Sequence, residues 1–431
     1  MLSITLILLL VLAGSSLFVA AVLGVLGFSL ATFFSPLPLV RGLGEVAWSS
    51  TSDFILVAVP MFILMGELLL RSGVTDAMYE GLDRWVGHIP GGLMHTNIAA
   101  SAMFAATSGS SIATAATIGT VSIPNMDRYG YDRGMFLGTI AAGGTLGILI
   151  PPSINMVLYG AMSETAVGDL YLAALIPGVM LAIVFSIYVY LRCIINPALA
   201  PRGNVSTWSQ RLQGLVHLLP PLMLFLLVVG SIYAGLATAT EASALGVMGA
   251  LMLVITRRRM SLQLLLRSFE GTVRTTSMVM AIVIAAYFLN FVLSTLGLTD
   301  AAVKWVGQLG WAPLAVMISI VVLYIFLGCF VESLTLMIAT TPIVVPIIKQ
   351  LGYSPVWFGV VFVILIETAL ITPPIGMNLF VVQSVRKEGP FRDVVMGSLP
   401  YVVLMFLLII GLIAFPELAL WLPSVYAESR G

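Results

Sequence analysis

Gly143-Gly-Thr-Leu-Gly-Ile-Leu-Ile-Pro-Pro152 lies inside a long apolar stretch, and its paired prolines recur 222 residues later in Thr372-Pro-Pro-Ile-Gly376, inside another. A helix cannot run smoothly through either place. Both prolines of each pair lack an N–H, and the second restricts the first. The glycines let carbonyls turn off the helix axis. Unwound backbone at membrane depth is tolerated only where protein or a water-filled cavity surrounds it. Each stretch therefore reads as a broken membrane helix that lines a site.

The rest of the chain supports a membrane setting. Of 431 residues, 60% are hydrophobic and 9% charged, with a mean hydropathy of +1.09, so much of the apolar surface must face lipid. Apolar runs cover nearly the whole length and leave no room for a soluble catalytic domain. Formal net charge is zero and the basic residues form no domain-wide patch, which speaks against nucleic acid. Cys193 and Cys329 lie far apart inside apolar runs, and His88, His95 and His217 lack ligand spacing, so neither a disulfide framework nor a zinc site is indicated. Met1-Leu2-Ser3 lacks the positive flank of a signal peptide, and the segment after it reads as a retained first helix.

The 222-residue offset extends beyond the prolines. It carries Gly24-Val-Leu-Gly27 onto Gly246-Val-Met-Gly249, Ser111 onto Ser333, Pro124 onto Pro346 and Tyr131 onto Tyr353. With small slips, Gly73-Val-Thr-Asp76 matches Gly297-Leu-Thr-Asp300 and Trp85-Val-Gly87 matches Trp305-Val-Gly307. The expected architecture is an all-α polytopic membrane protein of two inverted repeats, residues 1–215 and 216–431, with about 10 transmembrane helices and two re-entrant helical hairpins. In the first half, spans fall at about 2–13, 17–35, 54–70, 134–162 (the broken helix) and 168–191, with a hairpin over 91–124. In the second, they fall at about 216–235, 239–256, 273–296, 356–384 (broken) and 396–422, with a hairpin over 313–348. Five crossings per half invert the second half against the first. With Arg257-Arg258-Arg259 placed in the cytoplasm, fifteen of nineteen Lys and Arg residues fall on that side, leaving Arg41, Lys304, Lys349 and Arg430 outside. Both termini come out periplasmic.

Four places look unwound: the hairpin tips at Ser108-Gly-Ser-Ser111 and Glu332-Ser333, and the two Pro-Pro breaks. Freed carbonyls with Ser and Thr hydroxyls are hard, uncharged oxygen ligands suited to a monovalent cation. Helix N-termini at the same places favour an anion. One tip and one break per half points to two pseudo-symmetric cation sites flanking a central substrate. Ser111, Asn155, Glu332, Ser333, Thr335 and Asn378 are the candidate substrate contacts. Small residues such as Ala113, Ala116 and Gly119 read better as helix packing. Glu332 and Glu241 read equally as helix caps, Glu67 as a solvated helix end, and His95, Asn97 and Asn290 as local hydrogen bonders. Glu367, just before the second break, is the hardest to explain as structure alone. No GxxxxGK[ST] occurs, so no P-loop hydrolyses ATP here.

Four motifs carry a resemblance: Ser108-Gly-Ser-Ser-Ile-Ala-Thr-Ala-Ala-Thr-Ile-Gly119, Gly144-Thr-Leu-Gly-Ile-Leu-Ile-Pro-Pro-Ser153, Thr240-Glu-Ala-Ser-Ala-Leu-Gly246 and Thr372-Pro-Pro-Ile-Gly-Met-Asn-Leu-Phe380. Together they resemble the large membrane subunit of tripartite ATP-independent periplasmic (TRAP) transporters over essentially the whole chain. The family's usual Thr-Pro-Thr is Thr238-Ala-Thr240 here. The resemblance implies a multi-pass protein of the bacterial inner membrane, an elevator-type secondary importer of an organic acid driven by sodium, and no enzyme or cofactor beyond that coupling ion. It implies two separate partners, a small four-helix membrane subunit and a periplasmic substrate-binding protein. Sodium coordination would fall on Ser108, Gly109, Ser110 and Ser111 with Gly144, Thr145, Gly147 and Ile148, and on Ser333 with Thr372, Gly376 and Asn378. The nearest alternative is a stand-alone sodium–anion symporter of the related fold. From another class come a channel or a membrane enzyme, and the sequence shows no paired carboxylates, His metal motif or Ser–Lys dyad at depth for the latter.

Overall fold

The computed structural model describes residues 18–201 and 206–428, without the side chains of Ala106 and Thr107. The segment 2–13 expected as the first span, both termini, Arg202 and Arg430 lie outside the described residues.

Among the described residues the chain is helical, without strands. It opens with α1 (Val19–Phe34) and α2 (Leu43–Thr51). A 3-10 turn at Phe54–Val57 runs into α3 (Ala58–Ser72), followed by amphipathic α4 (Val74–Val86). The pair α5 (Leu93–Ser108) and α6 (Ser111–Tyr129) precedes the bent pair α7 (Arg133–Leu149) and α8 (Ile154–Ser163), and α9 (Val167–Ile195) closes the series. Next come α10 (Trp208–Tyr233), α11 (Ala239–Thr256), α12 (Leu262–Thr295) and amphipathic α13 (Leu298–Gln308). The order then recurs: the pair α14 (Pro313–Gly328) and α15 (Ser333–Gln350), the broken pair α16 (Pro355–Leu370) and α17 (Met377–Arg386), and α18 (Phe391–Ala414), with a short α19 (Glu417–Glu428).

Seven of these stretches are long and apolar enough to cross a membrane, and eight if α7 and α8, which meet at 42°, count as one span. The expectation was about ten. The first expected span lies outside the described residues, α1 and α16 are apolar but only 16 residues each, and one of the seven is α15, expected as a hairpin arm. The segment 396–422 divides at Phe415-Pro416, because the residue before proline is pushed out of the α region. Neither α4 nor α13 was expected: each follows a glycine in the left-handed region, Gly73 (φ 72°) or Gly297 (φ 67°), and an amphipathic helix gives no hydropathy peak.

Burial sorts the helices into inner and outer. Nearly every residue of α7 and α16 is buried, as a helix apolar on all faces requires. By contrast α9, α10, α14 and α18 turn Ile187, Met223, Phe326 and Leu407 outward, half or more exposed, as lipid-facing helices do. α7 meets α18 at Gly138 and Gly397, where each helix's backbone occupies the place a Cβ on the other would need. Such backbone-to-backbone contact needs small residues. Each post-break helix crosses to the other half: α17 packs on α6, and α8 packs on α15.

Buried polar groups on these inner helices are mostly paired. Asn97 accepts from Tyr79 Oη (2.7 Å) and donates to Thr139 Oγ1 (3.0 Å), tying α4, α5 and α7 together. His95 contacts Ser186 Oγ and the Pro90 carbonyl. Thr238 and Glu241 form a reciprocal capping box at the start of α11, which accounts for Glu241. Asn97→Ala takes the acceptor from the buried Tyr79 hydroxyl and a donor from Thr139 Oγ1, which keeps its bond to the Phe136 carbonyl, and a loss of about 2 kcal/mol is expected. Thermal melting of the purified protein checks this, and an unchanged midpoint would sink it.

Candidate functional site

The first tip is shaped by three residues. Gly109 takes a left-handed conformation (φ 60°) and reverses the chain after α5. Ser110 is extended and caps α6, its Oγ accepting from the Ala113 N–H. The Ser110 carbonyl accepts from Thr114 Oγ1 (2.7 Å), and Thr114 Oγ1 also lies 3.0 Å from Ser108 Oγ.

This tip sits against the first break. Pro151 and Pro152 leave the carbonyls of Gly147 and Ile148 without their helical donors. A Cβ on Gly147 would lie 2.7 Å from both the Ser110 carbonyl and Thr114 Oγ1, so only glycine lets the tip seat here. On Gly144 a Cβ would lie 3.0 Å from Asn378 Nδ2 and 3.2 Å from the Ser111 carbonyl. Asn378, fully buried, donates to the Ala141 carbonyl (3.4 Å) and has no partner for its Oδ1. Carbonyls of Ser110 and Ser111, the Thr114 hydroxyl and the Asn378 amide thus gather around Gly144 and Gly147, with the Glu367 carboxylate reached from the same tip through Ser111 Oγ. That donor set fits a hard monovalent cation.

The second tip is built differently. Glu332 caps α15: its Oε2 accepts from the Thr335 N–H (3.0 Å) and Oγ1 (3.1 Å), and its Oε1 from Ser333 Oγ (3.3 Å). At the second break Thr372 Oγ1 donates back to the Thr368 carbonyl (2.6 Å), and a Cβ on Gly376 (φ 53°) would lie 3.1 Å from the Thr372 carbonyl. The two breaks also differ in cover: Pro151, Pro152 and Ser153 are buried, whereas Pro374, Ile375 and Met377 are exposed.

One cavity of about 370 Å³ joins the tips. Ser108, Gly109, Ser110, Ser111, Ile148 and Asn155 line it from the first half, and Glu332 and Ser333 from the second. Thr335, Thr372, Gly376 and Asn378 do not reach it, and Asn378 sits beside Gly144 rather than Ser333. Thr145 turns toward α18, donating to the Ala142 carbonyl with Met405 Sδ nearby. Sequence reasoning missed the opposite wall, where α3 contributes Gly66 and Glu67 and α12 contributes Thr275 and Met278. Glu67 there pairs with Arg71 (2.8 Å) and rests on Gly271. The i, i+4 spacing signals the pair, but nothing local signals the cavity. Also unforeseen is the contact between the halves in which Ser111 Oγ donates to Glu367 Oε2 at 2.5 Å.

A family profile described as "Tripartite ATP-independent periplasmic transporter, DctM component" matches residues 4–418. The C4-dicarboxylate TRAP transporter large permease protein DctM of Pseudomonas aeruginosa is 33% identical over 405 residues, 93% of each chain. The sialic acid TRAP transporter large permease protein SiaM of Vibrio cholerae is 32% identical over 87% of each. The ectoine/5-hydroxyectoine TRAP transporter large permease protein UehC of Ruegeria pomeroyi is 32% identical over 85% of each. Among solved structures, the YdaH transporter of Alcanivorax borkumensis superposes with a TM-score of 0.63 at 14% identity, covering 98% of both chains. MtrF of Neisseria gonorrhoeae, from a class of antimetabolite efflux pumps, gives 0.61 at 13% identity, covering 97% of this chain and 94% of that one. At such identities these two speak to the fold alone.

Proposed function

The chain belongs to the DctM component family of tripartite ATP-independent periplasmic transporters, and from that premise we propose that it is the large permease subunit of a sodium-coupled importer of an organic acid. The observation that carries this reading is the cavity between the two hairpin tips, floored by uncharged oxygens at the first tip and capped by Glu332 and Ser333 at the second. With no arginine among the described residues lining the cavity, hydroxyls and helix N-termini would be the groups that meet a carboxylate. Sodium would be held beside the first tip by the Ser110 and Ser111 carbonyls and Asn378, with Ser333, Thr372 and Gly376 the candidates for a second ion. Sodium entering beside the tip would steady it against Gly147 and favour the anion next to it; the ion and substrate then move together.

The two halves, 1–215 and 216–431, act as inverted repeats with periplasmic ends, in keeping with the cytoplasmic bias of Lys and Arg. The hairpins and broken helices (α5–α8 and α14–α17) form a unit that slides as an elevator past a wall made by α3 and α12. A small four-helix membrane subunit would extend that wall, and a periplasmic binding protein would deliver the acid to the periplasmic face of the inner membrane. The relatives' named solutes, C4-dicarboxylates, sialic acid and ectoines, mark the range from which this chain's own solute is drawn.

Reconstitution tests the reading. A binding protein encoded alongside this chain would identify the acid by its bound ligand. Uptake of that labelled acid into vesicles holding both membrane subunits is expected to require the binding protein, and to fall at least about tenfold, a loss of some 1.4 kcal/mol in coupling, when choline replaces sodium. Uptake by this chain alone would make it a stand-alone symporter, and uptake indifferent to sodium would remove the coupling.

A further inference from the structure

Another cavity, also of about 370 Å³, lies beside the one between the tips and is lined by Arg71, Arg267, Glu270, Gly271 and Arg274. The same two helices build both. On α3, Glu67 and Leu70 face the first cavity, and Arg71, one residue on, faces the second. On α12, Arg267, Gly271, Arg274 and Met278 follow at helical spacing along one face, the first three lining the second cavity and Met278 the first. Arg274 and Met278 are separated by about 6 Å of helix.

An ion pair forms the partition between the two cavities. Glu67 lines the first and Arg71 the second, and Arg71 Nη2 meets Glu67 Oε2 at 2.8 Å, with Nε at 3.2 Å. A Cβ on Gly271 would lie 2.7 Å from the Glu67 carboxyl, so the glycine is what lets the pair fit against α12. With Arg71 matched in this way, the second cavity keeps Arg267 and Arg274 against the single carboxylate of Glu270. Among the described residues neither of those arginines has an ion pair. Arg259 adds charge at the same end: a Cβ on Gly73, just past α3, would lie 2.9 Å from its Cζ. Guanidinium groups stay charged at any working pH and hold carboxylates through paired N–H donors. The cavity between the tips has no such group among its described lining residues. Arginines thus stand about one helical turn away from it, toward Arg257-Arg258-Arg259, the end that the charge bias makes cytoplasmic.

We propose that the arginine-lined cavity is a second station for the transported acid, binding its carboxylate on the way between the first cavity and the cytoplasm. The proposal rests on the reading of the chain as an importer of an organic acid. An anion beside Met278 is within the Debye length of about 8 Å from Arg274 at physiological ionic strength, so the unmatched guanidiniums act on it. Once sodium departs, the anion loses its counter-charge at the tip and the arginines draw it outward. Glu67 and Glu270 offset part of that charge, which keeps the station weak enough to empty.

Succinate, as a carboxylate probe, and phenylglyoxal, which modifies arginine, test the station on the large and small membrane subunits purified together in detergent. At constant ionic strength, succinate in place of chloride is expected to slow modification of Arg267 and Arg274 at least about threefold, read by peptide mass spectrometry, and to leave exposed Arg128 unaffected. Arg267→Gln should raise the succinate needed to half-protect Arg274 by at least about threefold, because one ligand engages both guanidiniums. Both side chains are exposed, so neither variant should disturb folding. In vesicles supplied with the binding protein, Arg267→Gln combined with Arg274→Gln is expected to lower the maximal uptake rate at least about threefold, without shifting the binding-protein concentration for half-maximal uptake. Equal modification in succinate and chloride overturns the station, as does protection of Arg274 that survives Arg267→Gln unchanged. A double variant that transports at the wild-type rate overturns its place on the route. Wild-type vesicles that take up no acid would fault the importer reading instead, while the protection experiment, needing neither uptake nor sodium, still decides whether the arginines hold a carboxylate.

Discussion

Gly397→Leu is expected to leave no stably folded protein. A Cβ at Gly397 would overlap the carbonyl of Gly134, and one at Gly138 would overlap the carbonyl of Gly397. These obstacles are backbone, so no side-chain rotation relieves them. The helices must separate, and α7 carries with it the seat of the first tip. A destabilisation of about 3 kcal/mol is the expected scale, at the upper end for overpacking. Gly411→Leu, on the same α18 but with nothing within 4 Å, serves as the control and should be nearly silent. Size-exclusion profiles and melting midpoints of fluorescently tagged variants would separate the two. Equal behaviour would show that the seam is not tight.

Gly147→Val should spare folding and strike the site. Its new side chain would meet the Ser110 carbonyl and Thr114 Oγ1 at 2.7 Å or closer, and the carbonyl cannot yield unless the tip moves. The oxygens gathered there would spread, and half-saturating sodium should rise at least about tenfold, equivalent to 1.4 kcal/mol. Gly119→Ala, whose Cβ would make only ordinary 3.6 Å contacts, should leave sodium binding intact. If Gly147→Val binds sodium as the wild type does, the cation does not sit at this tip.

Much of this was written in local chemistry. Adjacent prolines announced the breaks at 150–153 and 371–376 because a missing N–H acts within one turn. The tip at Ser108-Gly-Ser-Ser111 was legible because a left-handed glycine followed by a capping serine ends one helix and starts another. Thr238 and Glu241 were equally plain. What stayed hidden depends on elements meeting across the fold. Asn378 follows the second break in sequence but lies beside Gly144, because α17 crosses to pack on α6. Glu67 looked like a solvated helix end until α12 brought Gly271 beneath it. Glu367 was conspicuous as a charge in an apolar run, yet nothing in its neighbours pointed to Ser111.

The hydrogen bond from Ser111 to Glu367 spans 256 residues of chain, and that separation sets a schedule for biosynthesis. A ribosome adding 5–20 residues per second needs about 10 to 50 s to make the second partner after the first has emerged. Throughout that interval the serine-rich tip is in or near the bilayer without the helices that will bury it, since α16 and α17 do not yet exist. The nascent first half must therefore wait, either shielded by the insertion machinery or held at the water interface. The tip can reach its final seat only when the chain is nearly complete.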